Sequence, residues 1–178
     1  MRKIHAFSGA AVAAVFLLTA SAASAQAAPA ASCQADPNFR LQDFSVGTWD
    51  VYNKDKRTAE AKLEWALNGC TIVETWTPTD PASKGHGMGH FTYSKILKSW
   101  HYFWVSDTGS TTYFKGELIK PGEMRYVTTA RTASGGERLR HWTLFAQPDG
   151  GVRELSLATE DGGKTWVTEY DLYWRKKK

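Results

Sequence analysis

Ten short runs with a period of two, and hardly any helical period after the first residues, limit what this chain can fold into. The runs lie at 44–52, 60–67, 70–77, 87–96, 100–105, 111–119, 124–131, 138–145, 152–159 and 166–174. The clearest is the second, where Ala61, Leu63, Trp65 and Leu67 face one way while Glu60, Lys62 and Glu64 face water. Between the runs stand Asn68-Gly69, Asp107-Thr108-Gly109, Pro121-Gly122, Ser134-Gly135-Gly136, Asp149-Gly150-Gly151 and Asp161-Gly162-Gly163. Each supplies Gly, Asn or Asp where a hairpin needs positive φ. Ten hairpin-linked strands predict an all-β, ten-stranded antiparallel up-and-down barrel, because closing the sheet removes its exposed edges. The longest connection, 78–85 with two prolines, reads as a mobile loop at the rim.

The N-terminus reads as an address. Arg2 and Lys3 precede a short apolar run at 10–18, and Ala23-Ser24-Ala25 is a small-x-small cleavage site, so 1–25 is expected to be a signal peptide. The apolar run is shorter than the roughly 20 residues a bilayer span needs. The expected product is a periplasmic or secreted protein that does not insert in a membrane, with a lead segment at 26–43 and a barrel domain at 44–175. Removing Arg2 and Lys3 lowers Lys+Arg from 22 to 20 against 18 acids, so the net charge falls from +4 to +2. That is too mild for a nucleic-acid partner, and the basic Arg175-Lys176-Lys177-Lys178 tail reads as a solvated end. A monomer is expected. Cys33 and Cys70 are an even pair in an exported chain, which predicts a disulfide pinning the lead segment to the barrel wall.

Several motifs carry chemistry. Thr159-Glu160-Asp161-Gly162-Gly163-Lys164-Thr165-Trp166 fits the Asp-box pattern of sialidase propellers, but propellers repeat it in every blade and here it occurs once. It therefore encodes a hairpin, not sialidase activity. His86, Met88 and His90 share a strand face and are the sharpest metal candidates, of a kind suited to copper. Their intervening glycines read instead as a flexible loop entering a strand, so no metal and no cofactor is expected. His101 and His141 each sit beside a tryptophan, as a haem ligand of a small barrel would, and read as ordinary strand histidines.

Glu74 shares a face with Ile72 and Trp76, which predicts a polar anchor inside a ligand cavity, a rim salt bridge, or, after a parity switch at a bulge, an outward-facing carboxylate. Arg140 and Arg153 lie on strands that offer it a partner. Trp100, Tyr102 and Trp104 share one face, as do Trp166, Tyr170 and Trp174. Such a wall suits flat or apolar ligands, although a packed core gives the same pattern. The sequence contains no His-Glu-x-x-His, Gly-x-Ser-x-Gly, P-loop or dinucleotide fingerprint.

The order Cys33, Phe44-x-x-Gly47-x-Trp49-Asp50-Val51, Gly69-Cys70-x-x-x-Glu74-x-Trp76, Tyr93, Trp100-x-x-x-Trp104-Val105, Asp149-Gly150-x-Val152-Arg153 and Asp161-Gly162-Gly163-Lys164-Thr165-Trp166 is specific as a set. Over roughly Cys33 to Arg175 it resembles a family of bacterial exported proteins of unknown function with a lipocalin-like (calycin) barrel. In lipocalin-like barrels Gly-x-Trp opens the first strand, and the Trp plugs the closed end. The resemblance implies the barrel and the cysteine pairing, and supplies no activity. The His86/Met88/His90 cluster departs from its pattern.

The expected function is binding of a small apolar or aromatic molecule in the lumen. Such a ligand would enter past the 78–85 loop, stack on Trp76, Trp100 and Trp104 beside Tyr102, and present a polar group to Glu74, Arg140 or Arg153. An enzyme isomerising, cyclising or hydrating such a molecule is the first alternative, and a strongly raised Glu74 pKa in a closed cavity favours it. A structural or interaction protein with a filled barrel is the second, selected by a lumen without a pocket above roughly 300 Å³.

Overall fold

The computed structural model describes residues 33–80 and 85–178. The expected signal peptide lies outside the described residues, as do positions 81–84 of the expected rim loop. Ten strands follow one another: β1 (Gly47–Asn53), β2 (Lys56–Ala66), β3 (Thr71–Pro78), β4 (Gly87–Ser94), β5 (Ser99–Ser106), β6 (Thr111–Lys120), β7 (Glu123–Arg131), β8 (Glu137–Ala146), β9 (Val152–Thr159) and β10 (Val167–Lys176). Each pairs antiparallel with its chain neighbours, and β1 pairs with β10 to close the barrel. Among the described residues no helix is long and apolar enough to cross a membrane.

One end is sealed by the chain that leads into β1. Short 3₁₀ turns at Cys33–Ala35, Pro37–Arg40 and Asp43–Ser45 lie beneath it. Phe39 packs edge-on against Tyr93, and the Asn38 carbonyl accepts from the Trp100 indole at 3.1 Å. Buried Gln42 accepts the Tyr126 hydroxyl proton. Cys33 and Cys70 form a disulfide that ties the first of these turns to the start of β3. Trp49 is the plug the Gly-x-Trp motif predicts. Its indole donates to the Ser45 carbonyl at 2.8 Å and lies over Gly47, whose φ of +146° an L side chain rarely adopts.

Three expectations based on alternation fail locally. β2 stops at Ala66, and Leu67 and Asn68 take left-handed backbone, which turns Leu67 out to solvent instead of onto the Ala61/Leu63 face. In β10 the register shifts between Thr168 and Tyr170, so Trp166 lies outside, packed against His141 at 4.5 Å, while Tyr170 and Trp174 turn inward. In β9 the bulkier Leu155 and Leu157 face out, while Val152, Glu154, Ser156 and Ala158 face in. Large rings from the opposite wall reach across part of the lumen, so small residues suit much of the inner face of β9.

Candidate functional site

Glycines make room for the site's floor. A Cβ on Gly89 would stand 2.4 Å from the Tyr102 ring, and one on Gly116 would stand 2.4 Å from the Tyr126 ring. Gly87 is covered in the same way by Trp104. The His86–His90 glycines are therefore seats for aromatic rings in a regular strand, not the flexible loop expected of them. Phe91, Tyr102, Tyr126 and Trp142 pack on these seats with centroid spacings of 4.1–6.2 Å and separate the plugged end from a cavity above.

That cavity has a volume of about 440 Å³ and opens at the rim opposite the plug. Trp76, Trp104, Phe114, Trp142 and Leu172 form its apolar walls, and Glu74, Glu154 and Arg140 are its charged lining. Glu74 faces inward from β3 and is 2% exposed. Its partner is neither of the expected arginines. Tyr102 donates its hydroxyl to Glu74 Oε2 at 2.6 Å. Burial pushes the Glu74 carboxyl up to about 8; the tyrosine bond opposes this and the neighbouring Glu154 charge adds to it. Tyr102 itself is held well above its usual value, by burial first and then by Glu74.

Glu154 was not foreseen as a site residue. It receives the Trp142 indole on Oε1 and the Trp174 indole on Oε2, both at 2.9 Å. Burial raises it to about 7 against these donors. Since indole N–H groups only donate, Glu154 is built as an acceptor with its lone pairs largely used. Glu74, with one donor, is the less satisfied of the two acids.

Arg140 lines the cavity as expected, but its Nε and Nη2 bind Glu169 at 2.5 and 2.9 Å. Glu169 also receives Ser156 and Arg138, and Arg138 reaches Glu160. Desolvation raises the Glu169 carboxyl, but its bonds to Arg140, Ser156 and Arg138 outweigh that and hold it down at about 2. Glu169 is the extra residue of the β10 bulge, so alternation alone could not place it inside.

Two of the proposed contacts are corrected. Arg153 lies on the outer face of β9, bound to Asp171 at 2.7 and 2.8 Å, because its parity is that of Leu155. Trp100 is inward but belongs to the plugged end, with its indole bound to Asn38, and does not line the cavity. Trp76, Tyr102, Trp104, Arg140 and Glu74 do come together there. His86 bonds to Asp107 at 3.1 Å, and Met88 and His90 are exposed on the outer face. Among the described residues no three His, Cys, Asp or Glu side chains cluster to hold a metal. His101 bonds to Ser99 and Tyr113, and His141 packs against Trp166 with the rings tilted; neither lines the cavity.

The Asp-box hairpin is held as its motif predicts. Asp161 accepts from the Thr159 and Thr165 hydroxyls and from the Lys164 and Thr165 backbone. In comparisons with known proteins, no family model and no curated protein matches the chain.

Proposed function

We propose that the barrel binds a small, flat, apolar or aromatic molecule in its open end, with the ligand's polar group at Glu74. One observation carries the reading: an aromatic-walled cavity of about 440 Å³ with an incompletely satisfied carboxyl at its floor. Its volume is within the range of small-molecule sites and above the roughly 300 Å³ below which a filled barrel would be the reading. Bulky rings at Trp76 and Trp104 offer stacking surface, and Arg140 is already engaged by Glu169. The disulfide supports placing the protein in an oxidising compartment, the periplasm or the outside of the cell. The closed barrel supports grouping it with the lipocalin-like exported proteins it resembles.

A second reading is favoured by one observation. A carboxyl raised to about 8, bonded to a tyrosine, is suited to acid/base catalysis in an isomerase, cyclase or hydratase. The open rim favours the binder, since a catalytic acid gains most from a site that excludes water.

Titration with 2-naphthol, followed by quenching of tryptophan fluorescence, tests the binder. A saturable signal is expected, with Trp76→Ala weakening it by roughly 1–3 kcal/mol while the fold stays intact. Unsaturable quenching, equal in the variant, would oppose the proposal. Glu74→Gln separates the two readings. A binder loses affinity modestly, whereas an enzyme loses turnover and still binds.

A further inference from the structure

The charges facing the lumen do not balance, and the imbalance has a sign. At the rim, Arg138 and Arg140 are matched by Glu160 and Glu169. Below them Glu74 and Glu154 line the cavity, and Arg140 is the only cation among the described residues that line it. A ligand carboxylate there would meet two acids and an arginine already bound bidentately to another carboxylate. A cation would meet two carboxyls and the faces of two indoles.

Resting on the binding reading above, we infer that the lumen takes an arylalkylamine-type molecule, a flat apolar ring carrying a basic nitrogen whose ammonium pairs with Glu74. Glu74 is the better partner, because Glu154 already accepts an indole on each oxygen while Glu74 accepts one hydroxyl. The groups facing Glu74 do not supply a competing cation. Tyr102 on β5, Tyr126 on β7 and Glu154 on β9 approach it electrostatically. Adjacent β2 and β4 pair Leu63 and Gly89 with it. Across the cavity Tyr170 and Arg140 complete the titratable lining.

The pairing moves a proton. An empty site near neutral pH carries Glu74 as the acid, since burial holds it to about 8. Entry of an ammonium ion stabilises the carboxylate, so the Glu74 proton leaves to solvent and the ion pair remains. A neutral ligand of the same shape leaves that proton in place.

Calorimetry at pH 6.5 with tryptamine, tryptophol and indole-3-acetate tests the inference, because the three share a ring and differ in the charge at its tail. Tryptamine should bind about tenfold or more tighter than tryptophol, the ratio a charge-assisted hydrogen bond supplies, and indole-3-acetate weakest. Its heat should depend on the buffer's ionisation enthalpy with the sign of proton release, and that of tryptophol should not. Glu74→Gln should erase both the preference and the proton release while tryptophol still binds. Equal or tighter binding of tryptophol or indole-3-acetate would overturn the amine class and leave the aromatic binder standing. If none of the three binds, the amine class fails. Nile red then separates the outcomes, since a saturable dye signal keeps the luminal binder and its absence removes that reading too.

Discussion

The two ends of this barrel use the same residue type in opposite ways. At the plugged end Trp49 and Trp100 are almost fully buried, and each indole N–H has a partner: the Ser45 carbonyl and the Asn38 carbonyl. At the open end Trp76 and Trp104 are only partly buried, with ring faces on the cavity. A packed indole stabilises the fold, whereas an indole with a free face offers its surface to something else. The difference teaches that aromatic content alone does not indicate function; the unfilled side of the ring does.

The strongest challenge to this contrast is a pair of truncations. Trp49→Ala should cost about 3–5 kcal/mol in denaturant unfolding, the range for a buried large aromatic. Trp104→Ala should cost about 1 kcal/mol or less and instead reduce ligand affinity. Similar losses at both positions would dissolve the distinction. Opening the disulfide comes next, because it anchors the chain segment that seals the plugged end. Cys33→Ser with Cys70→Ser should lower stability by up to about 4 kcal/mol on the chain-entropy estimate for this loop. Thiol labelling of the denatured, non-reduced wild type should find both cysteines blocked.

Gly89→Ala probes the layer between the two ends. Its Cβ would stand 2.4 Å from a Tyr102 ring already packed on Phe91 and Trp142, so overpacking of about 1–3 kcal/mol is expected. Because Tyr102 is displaced, its bond to Glu74 should weaken too. Wild-type affinity in this variant would show that the Tyr102 position does not matter to the site.

The remaining effect is a pH slope. Glu74 has its folded pKa raised above the ordinary carboxyl value, so between about 4.5 and 8 the native state holds more protons than the unfolded one. Stability should fall as pH rises through that window, and Glu74→Gln should reduce the slope to the part that Glu154, raised to about 7, contributes. Glu169 has the opposite sign. Its contribution is present above the ordinary carboxyl value and is lost as pH falls towards about 2. An unchanged melting profile in Glu74→Gln would mean that Glu74 titrates normally.

Much of this was legible in the chain, for physical reasons that also explain the failures. Alternation, with glycine, Asn or Asp at six of the turns, marks the ten strands, and the Gly47–Trp49 spacing identifies the plugged end. Parity of β3 and β5 predicts that Glu74, Trp76, Tyr102 and Trp104 converge. Glu169 was hidden because a bulge breaks parity at its own position, and no sequence pattern announces that bulge. Arg153 and Glu154 were exchanged by a different error. An inward Arg153 would put Leu155 and Leu157 inside with it, whereas β9 turns Val152, Glu154, Ser156 and Ala158 inward. Reading Val152, Glu154, Ser156 and Ala158 as one small-residue face is the signal that finds Glu154.

If the open end alone is the site, only its indoles meet a ligand. Indole N–H resonances of the uniformly ¹⁵N-labelled protein, followed during titration with 2-naphthol, report on both ends in one spectrum. Trp76 and Trp104 should shift saturably while Trp49 and Trp100 stay in place. Shifts led by Trp49 or Trp100, or a spectrum that does not move up to the solubility limit, would contradict it.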